Sequence, residues 1–389
     1  MQRYYFDHNA TTPVAPEVVE AMLPCFSQAY GNASSIHSFG QQAKMMLERA
    51  RRQVAGLLGC RPAEVILTGG GTEANNLAIL GTVRRARQAR KHLITSRIEH
   101  PSVLDTCRQL ESEGVEVSYV PVCAQGLVWP DDIRAALRPE TLLISVMHAN
   151  NETGVLQPIA EIAAIARRAG VLMHSDGVQS TGKIPIDVQA LGVDLFAMSG
   201  HKSYGPKGAG ALYARMGAPL SRIVYGGHHE RDRRPGTENV AGLVGLGAAA
   251  ERAGAMLGEE GERLAALRDR LERRLLEQIP SAGVNGGNAP RVPNTANLHF
   301  DFLEGEALVI ALDLNGMAVS SGAACSSGAV EPSHVLTAMG LPEERARASI
   351  RFSLGRQNTA EQIDALTEAV VTAVERLRRL SPCLQTSSP

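Results

Sequence analysis

The feature that most constrains this chain is an alternation between two hydrophobic periods. Short apolar runs recur at 64–68, 93–95, 115–120, 142–147, 171–174 and 194–197, and stretches with apolar residues at helical spacing lie between several of them, at 41–58, 76–87, 103–111 and 159–168. Runs that short read as buried strands, and strands separated by helices need crossover connections. The pattern therefore predicts an α/β domain around a large, mostly parallel sheet. A helix over 16–26 is expected before it. The segment 240–279 breaks the rhythm, because it is nearly all helix-forming, with Leu267, Leu271, Leu275 and Ile279 in one stripe, Arg263, Arg270 and Arg274 facing elsewhere, and Pro280 as a stop. Such a helix is expected to lead into a smaller C-terminal domain that ends in a helix over 360–380.

The bulk numbers remove some classes of function. With 389 residues the chain suits two domains, and 44% hydrophobic with 20% charged residues argues against disorder. A net charge of -1 demands no basic surface for nucleic acid. The opening MQRYYFDHNATTP lacks the basic and apolar segments of a secretory signal, and Gly, Arg, Glu or Pro interrupts every long apolar stretch, so no membrane span is expected. Six cysteines, with no CxxC pair, fit a reducing, cytoplasmic compartment in which most are small buried hydrophobes.

Ligands of open α/β sheets collect beyond the carboxyl ends of the strands, so the polar residues just after the apolar runs carry the functional reading. Those positions hold TGGGTE, EHP, NNETG, DGVQ and SGHK. In ILTGGGTEANN, backbone N–H groups near Gly71 and Thr72 at a helix start would suit a phosphate, although such glycines also serve chain geometry and match neither GxxxxGK[ST] nor GxGxxG. Asp176 reads as a helix cap or as a metal ligand. His174 shares its face on a continuing strand, but no further cluster completes a metal site, and His228 and His229 point in different directions; no metal is expected. Lys202, in AMSGHKSYGPKGAG, reads either as a solvated lysine or as an amine for Schiff-base chemistry, and its neighbours Ser199, His201 and several glycines favour the second by leaving room for a flat, phosphorylated ring. Cys325 lies in AVSSGAACSSGAVEPS, whose Ser, Gly and Ala content describes a loop from which a thiolate can reach a bound substrate. Arg351, in ASIRFSLG, can offer a bidentate fork to a carboxylate.

Taken together, GNASSIHSFG, TGGGTEANN, IEHPSVL, HANNETG, HSDGVQSTGK, MSGHKSYGPKG, GGHHERDRRPGTEN, SSGAACSSG and IRFSLGR run in order along almost the whole chain. In these motifs it resembles the cysteine desulfurases of nitrogenase and iron–sulfur cluster assembly, within the class V aminotransferase family. The resemblance implies a fold-type I pyridoxal-phosphate enzyme and a homodimer, with residues 1–15 joining the small domain, 16–255 as the large cofactor-binding domain and 256–389 as a small α+β domain. It implies that Lys202 carries pyridoxal 5'-phosphate as a Schiff base, that Asp176 pairs with the pyridine nitrogen, and that His100 stacks on the ring and shuttles a proton. Gln179 would bond the phenolic oxygen; Gly71, Thr72, Ser199 and His201 would hold the phosphate, with Thr237 entering from the other subunit. Asn151 and Arg351 would receive the carboxylate of L-cysteine, and Cys325 would take its sulfur as a persulfide for a scaffold or other acceptor protein.

Two positions depart from the family pattern. Ala323 stands where a serine is familiar in SGSAC, and His8 stands in DHNATT where Asn or Tyr is familiar; His8 is expected at the mouth of the site. The rival readings are a selenocysteine lyase, or another fold-type I lyase or aminotransferase, which share the lysine and aspartate but not the thiol, and a non-catalytic assembly scaffold. A serine hydrolase lacks its G-x-S-x-G elbow.

Overall fold

The structure is a computed structural model that describes residues 3–321 and 331–380. A two-residue strand, β1 (Tyr4–Tyr5), precedes the main sheet. Among the described residues that sheet has seven strands: β2 (Val65–Thr68), β3 (His92–Ser96), β4 (Glu116–Val120), β5 (Thr141–Ser145), β6 (Leu172–Asp176), β7 (Leu195–Ser199) and β8 (Gly210–Ala214). Their order is β2-β8-β7-β6-β5-β3-β4, parallel except for β8, which runs antiparallel to both β2 and β7. Every apolar run singled out in the sequence becomes a strand of this sheet. The unanticipated strand is β8: its run GALYA follows directly on a glycine-rich stretch and carries no β-branched residue, so little distinguishes it from a loop.

Successive strand residues point to opposite faces, and both faces are covered. Val65, Leu67, Ile94, Ile144, Phe196 and Tyr213 meet the helices Ser38–Leu58 and Ile159–Ala169 and the first part of Val240–Gln278. Ile66, Leu93, Leu143, Leu195 and Leu212 meet Gly71–Arg85 and Pro101–Ser112 on the other side. Close approach at β8 demands a glycine, since a Cβ on Gly210 would stand 2.6 Å from the Gly70 backbone.

A second core lies toward the C-terminus. There β10 (Thr295–Phe300) pairs antiparallel with β9 (Ala282–Val284) and β12 (Ser349–Ser353), while β11 (Met317–Ala318) pairs in parallel with β1. Phe6 is fully buried in this core beside Leu271, Leu298, Phe300 and Phe352. The Val240–Gln278 helix, 39 residues and about 58 Å long, serves both cores: Leu243 and Leu246 belong to the first, Leu267, Leu271 and Leu275 to the second. Its arginines face away as the spacing implies, Arg270 and Arg274 pairing with Asp364 and Arg263 donating to the Asn358 carbonyl at 2.7 Å. By length and composition this helix holds a window apolar enough to cross a membrane, which the interruptions in the sequence did not lead us to expect. Its apolar residues instead pack against the Ser38–Leu58 helix and the terminal Ala360–Leu380 helix.

The turn after β3 buries Glu99 completely; its Oε1 accepts from Ser96 Oγ at 2.5 Å and from Met147 N at 3.0 Å. Burial pushes this carboxyl up to about 8, against the opposing pull of those two hydrogen bonds. Two outcomes are expected. Leu271→Ala should lower the stability of the second core by about 2–5 kcal/mol, whereas Leu276→Ala, at a 43% exposed position five residues on, should change it by about 0.5 kcal/mol or less; equal losses in chemical denaturation would contradict the assignment of the stripe. Because the unfolded Glu99 ionises near pH 4.3 and the folded one near 8, the folded state binds the extra proton between those values, and stability falls as pH rises through that window. Glu99→Gln should remove that part of the slope, so its stability relative to the parent should rise from pH 5 to pH 8; parallel pH profiles would refute the burial argument.

Candidate active site

The carboxyl ends of β2, β3, β5, β6 and β7 open onto one cavity of about 370 Å³. Gly71, Thr72, His100, Asn151, Asp176, Gln179, Ser199, His201, Lys202 and Arg351 all line it. A larger groove of about 660 Å³ beside Arg51 and Glu230 is a separate place, and none of those residues lines it. Thr237 is exposed and stands outside the cavity of its own chain. Cys325 and Ala323 lie outside the described residues.

Each strand delivers its residue by ending. Asp176 is the last residue of β6 and is 5% exposed; its Oδ2 accepts from Asn75 Nδ2 at 2.7 Å and its Oδ1 from Val178 N at 2.9 Å. Two donors on two oxygens fix the plane of the carboxylate. Asp176 caps no helix, because a turn follows it and Val178 N belongs to that turn, while His174 two residues earlier bonds Ser145 Oγ at 2.8 Å. Among the described residues no group of His, Cys, Asp and Glu could hold a metal ion, and His228 pairs with Asp232.

His100 caps the Pro101–Ser112 helix, with Nδ1 accepting from Ser102 N at 3.1 Å. An acceptor Nδ1 places the proton of the neutral ring on Nε2. Burial holds the pKa of His100 below the usual imidazole range, while Asp176 pulls it up and Lys202 pushes it further down. Asn75 Nδ2 also donates to Ser102 Oγ at 2.9 Å, so the carboxylate and the imidazole are tied through Asn75 and Ser102.

Lys202 closes a single 3-10 turn after β7, and its Nζ donates to the carbonyls of Asn9 at 2.7 Å and Ala10 at 2.8 Å. His201 beside it reaches Thr11 Oγ1 at 3.1 Å; burial, then Lys202 and Lys207, bring its pKa down to about 4. Arg351 comes from β12 and is 4% exposed. Its guanidinium is already partly engaged, Nη1 on the Asn151 carbonyl at 3.0 Å and Nη2 on Asp7 at 2.7 Å, while the buried Nε has no hydrogen-bond partner among the described residues. The fork is therefore held in place by the protein before any ligand arrives.

These residues fit pyridoxal phosphate. A 15-residue helix starts at Gly71, and the N–H groups of its first turn have no partners within the helix. A Cβ on Gly71 would lie 2.6 Å from Val178 Cγ2, so only glycine keeps this floor clear. A lysine, a fixed carboxylate and an imidazole share the same walls, and Asn75 Oδ1 is a buried acceptor without a partner among the described residues.

His8 is not at the mouth of the site. It is 3% exposed, edge-on to Tyr5 at 4.9 Å between ring centroids, and so close to Gly355 that a Cβ there would meet the ring at 2.4 Å. Burial, helped by Lys183, lowers its pKa to about 4. The strand-end reading passed over Asn9, Asn75, Ser102 and Lys183. All four stand within or next to the quoted motifs, as polar residues one to four positions from those singled out, and that proximity was the available signal.

The family model for class-V aminotransferases matches residues 4–366. The chain is 46% identical over 381 residues to a cysteine desulfurase IscS of Dictyoglomus turgidum, covering 98% of this chain and 97% of that protein. It is 50% identical over 382 residues to a protein of the same name from Anaeromyxobacter dehalogenans, with 97% and 94% covered. Among solved structures, a NifS-like protein superposes with a TM-score of 0.91 at 35% identity, over 97% of this chain and 100% of that one. A structure described as SspA in complex with cysteine gives 0.80 at 38% identity, over 90% and 98%. With the model matching nearly the whole length and relatives close to half identical, the chain belongs to the class-V aminotransferases and, within them, to the pyridoxal-phosphate-dependent cysteine desulfurases.

Proposed function

We propose that the enzyme takes sulfur from free L-cysteine, releases L-alanine and keeps the sulfur on Cys325 as a persulfide, which then passes to an acceptor protein of iron–sulfur cluster assembly, nitrogenase clusters among the destinations. The observation that carries this reading is the meeting of Lys202, Asp176, His100 and Arg351 around one cavity. Pyridoxal phosphate, when bound there, supplies a ring that accepts the electron pair of the substrate Cα–H bond. Lys202, which lines the cavity, would hold it covalently and would serve as the base for the substrate Cα proton. Asp176 keeps a proton on the ring nitrogen. The Gly71 and Thr72 end of the helix, with Ser199 and His201, holds the phosphate, and Gln179 donates to the ring oxygen. His100, on the same wall, would hold a proton at Nε2 for transfer. Arg351 and Asn151 orient the substrate carboxylate.

Cys325 then attacks the substrate sulfur as a thiolate. A sulfur–sulfur bond forms, the carbon–sulfur bond breaks, and the electron pair of that bond returns to the three-carbon product, which is protonated and leaves as alanine. In the sequence Cys325 comes five residues after Ser320, whose backbone pairs with Arg351. We further propose a cytoplasmic homodimer in which Thr237, exposed and outside the lining of its own cavity, reaches the phosphate of the other protomer. The division into 1–15, 16–255 and 256–389 is part of the same reading, supported by Phe6 packing in the second core.

The test is L-cysteine turnover combined with mass detection of sulfur on Cys325. Cys325→Ala should keep the visible spectrum of the bound cofactor and its change on adding cysteine, yet form no protein persulfide and lose alanine production by about 10²-fold or more; sulfide release at the parent rate would sink the role given to the thiol. Lys202→Ala should leave no borohydride-reducible link between protein and cofactor and should lose about 10²–10⁴-fold in kcat. A reducible adduct on another lysine would overturn that assignment.

A further inference from the structure

We infer that Lys183 is a positioning residue of this site: its amine holds Gln179 and Asn9 in the one amide orientation that turns the Gln179 nitrogen toward the cofactor. The inference rests on the proposed placement of Gln179 at the ring oxygen. Lys183 Nζ donates to Gln179 Oε1 and to Asn9 Oδ1, both at 2.7 Å. In its charged form the amine donates and does not accept, so the amide atom facing it is then oxygen in both residues. The nitrogens are thereby sent the other way. Gln179 Nε2 donates to the Asn9 carbonyl at 3.0 Å, and Asn9 Nδ2 donates to the Asn151 carbonyl at 3.1 Å and to Thr295 Oγ1 at 2.9 Å. An amide nitrogen carries two hydrogens. With one of Gln179's directed at Asn9, the other serves a ligand of the cavity that Gln179 lines.

The lysine stands there at an electrostatic cost. The residue as a whole is half-buried, yet its amine lies in the interior, the reverse of the usual arrangement in which the stem is covered and the charge is in water. The charged or titratable groups that act on it are Lys202 from the turn after β7, Arg351 from β12 and His8 from the N-terminal segment. Burial first, then Lys202 and Arg351, draws its pKa well down. A lysine serving only to solvate a surface does not sit under these conditions. Orienting two amides that border the site is a role that accounts for it.

The test uses full-length enzyme reconstituted with pyridoxal phosphate, in parent form and as Lys183→Met, Gln179→Leu and the double variant. The visible band of the lysine-bound cofactor is titrated against pH, and thermal melts check folding. An N–H donated to the ring oxygen favours the deprotonated form, so its loss should raise the midpoint by about half to one pH unit. Both single variants should show that rise, and Lys183→Met should add nothing in the Gln179→Leu background. Lys183→Gln, which offers a shorter amide donor, serves as a second variant and should show a smaller rise; a fall would count against the inference. A parent-like midpoint in Lys183→Met beside a shifted Gln179→Leu overturns the positioning role alone. So does an equal rise in both backgrounds, because the lysine would then act as a charge through space. An unshifted Gln179→Leu overturns the placement of Gln179 and the inference with it, and a parent without a reducible visible band overturns the cofactor reading itself.

Discussion

Asn9 joins three parts of the chain that are far apart in sequence. Its backbone N–H goes to Ser353 Oγ on β12, its side chain to Thr295 and Asn294 of the second core and to the Asn151 carbonyl of the first, and its own carbonyl accepts from both Gln179 and Lys202. The Asp7–Arg351 ion pair and the fully buried Phe6 tie down the same few residues. A buried polar network of this kind is favourable only when its members are satisfied, and partial loss leaves donors and acceptors stranded in a low dielectric. The geometry of the cofactor lysine therefore depends on a segment that belongs to neither sheet.

Charge follows the same plan. Lys202 and Arg351 line the cavity and Lys183 acts on them from beside it, whereas Asp7 is the carboxylate paired with Arg351, Asp176 lines the same cavity, and Glu99 nearby is held toward its neutral form. A concentration of cations is costly unless anions complete it. A phosphate and an amino-acid carboxylate are suitable anions, so the walls discriminate among small molecules before any specific contact is made.

Much of this was legible in the sequence. The alternation of periods gave each parallel strand its place, because a strand buried on both faces has to be apolar throughout, and the strand ends then pointed to Asp176, Ser199 and Lys202. What escaped notice depends on distance. β8 lacked β-branched residues, and its partners β2 and β7 define it more than its own composition does. His8 read as a rim residue because its burial comes from Tyr5, Tyr204 and Gly355, the last two of which are remote in sequence. Lys183 resembles any lysine after a glycine turn, and only the folded arrangement brings Asn9 to it across 174 positions.

The pairing of β1 with β11 and of Asn9 with Ser353 has a consequence for biosynthesis. The residues that meet at Asn9 are separated by 344 positions. At roughly 5–20 residues per second, a ribosome needs about 20–70 s to make the second partner after the first has emerged. During that interval the main sheet can assemble and offer Gln179, Lys183 and Lys202 to Asn9, but β11 and β12, which hold the other side of the N-terminal segment, are still missing. The cavity, which Arg351 of β12 lines, thus cannot be complete before β12 has been made.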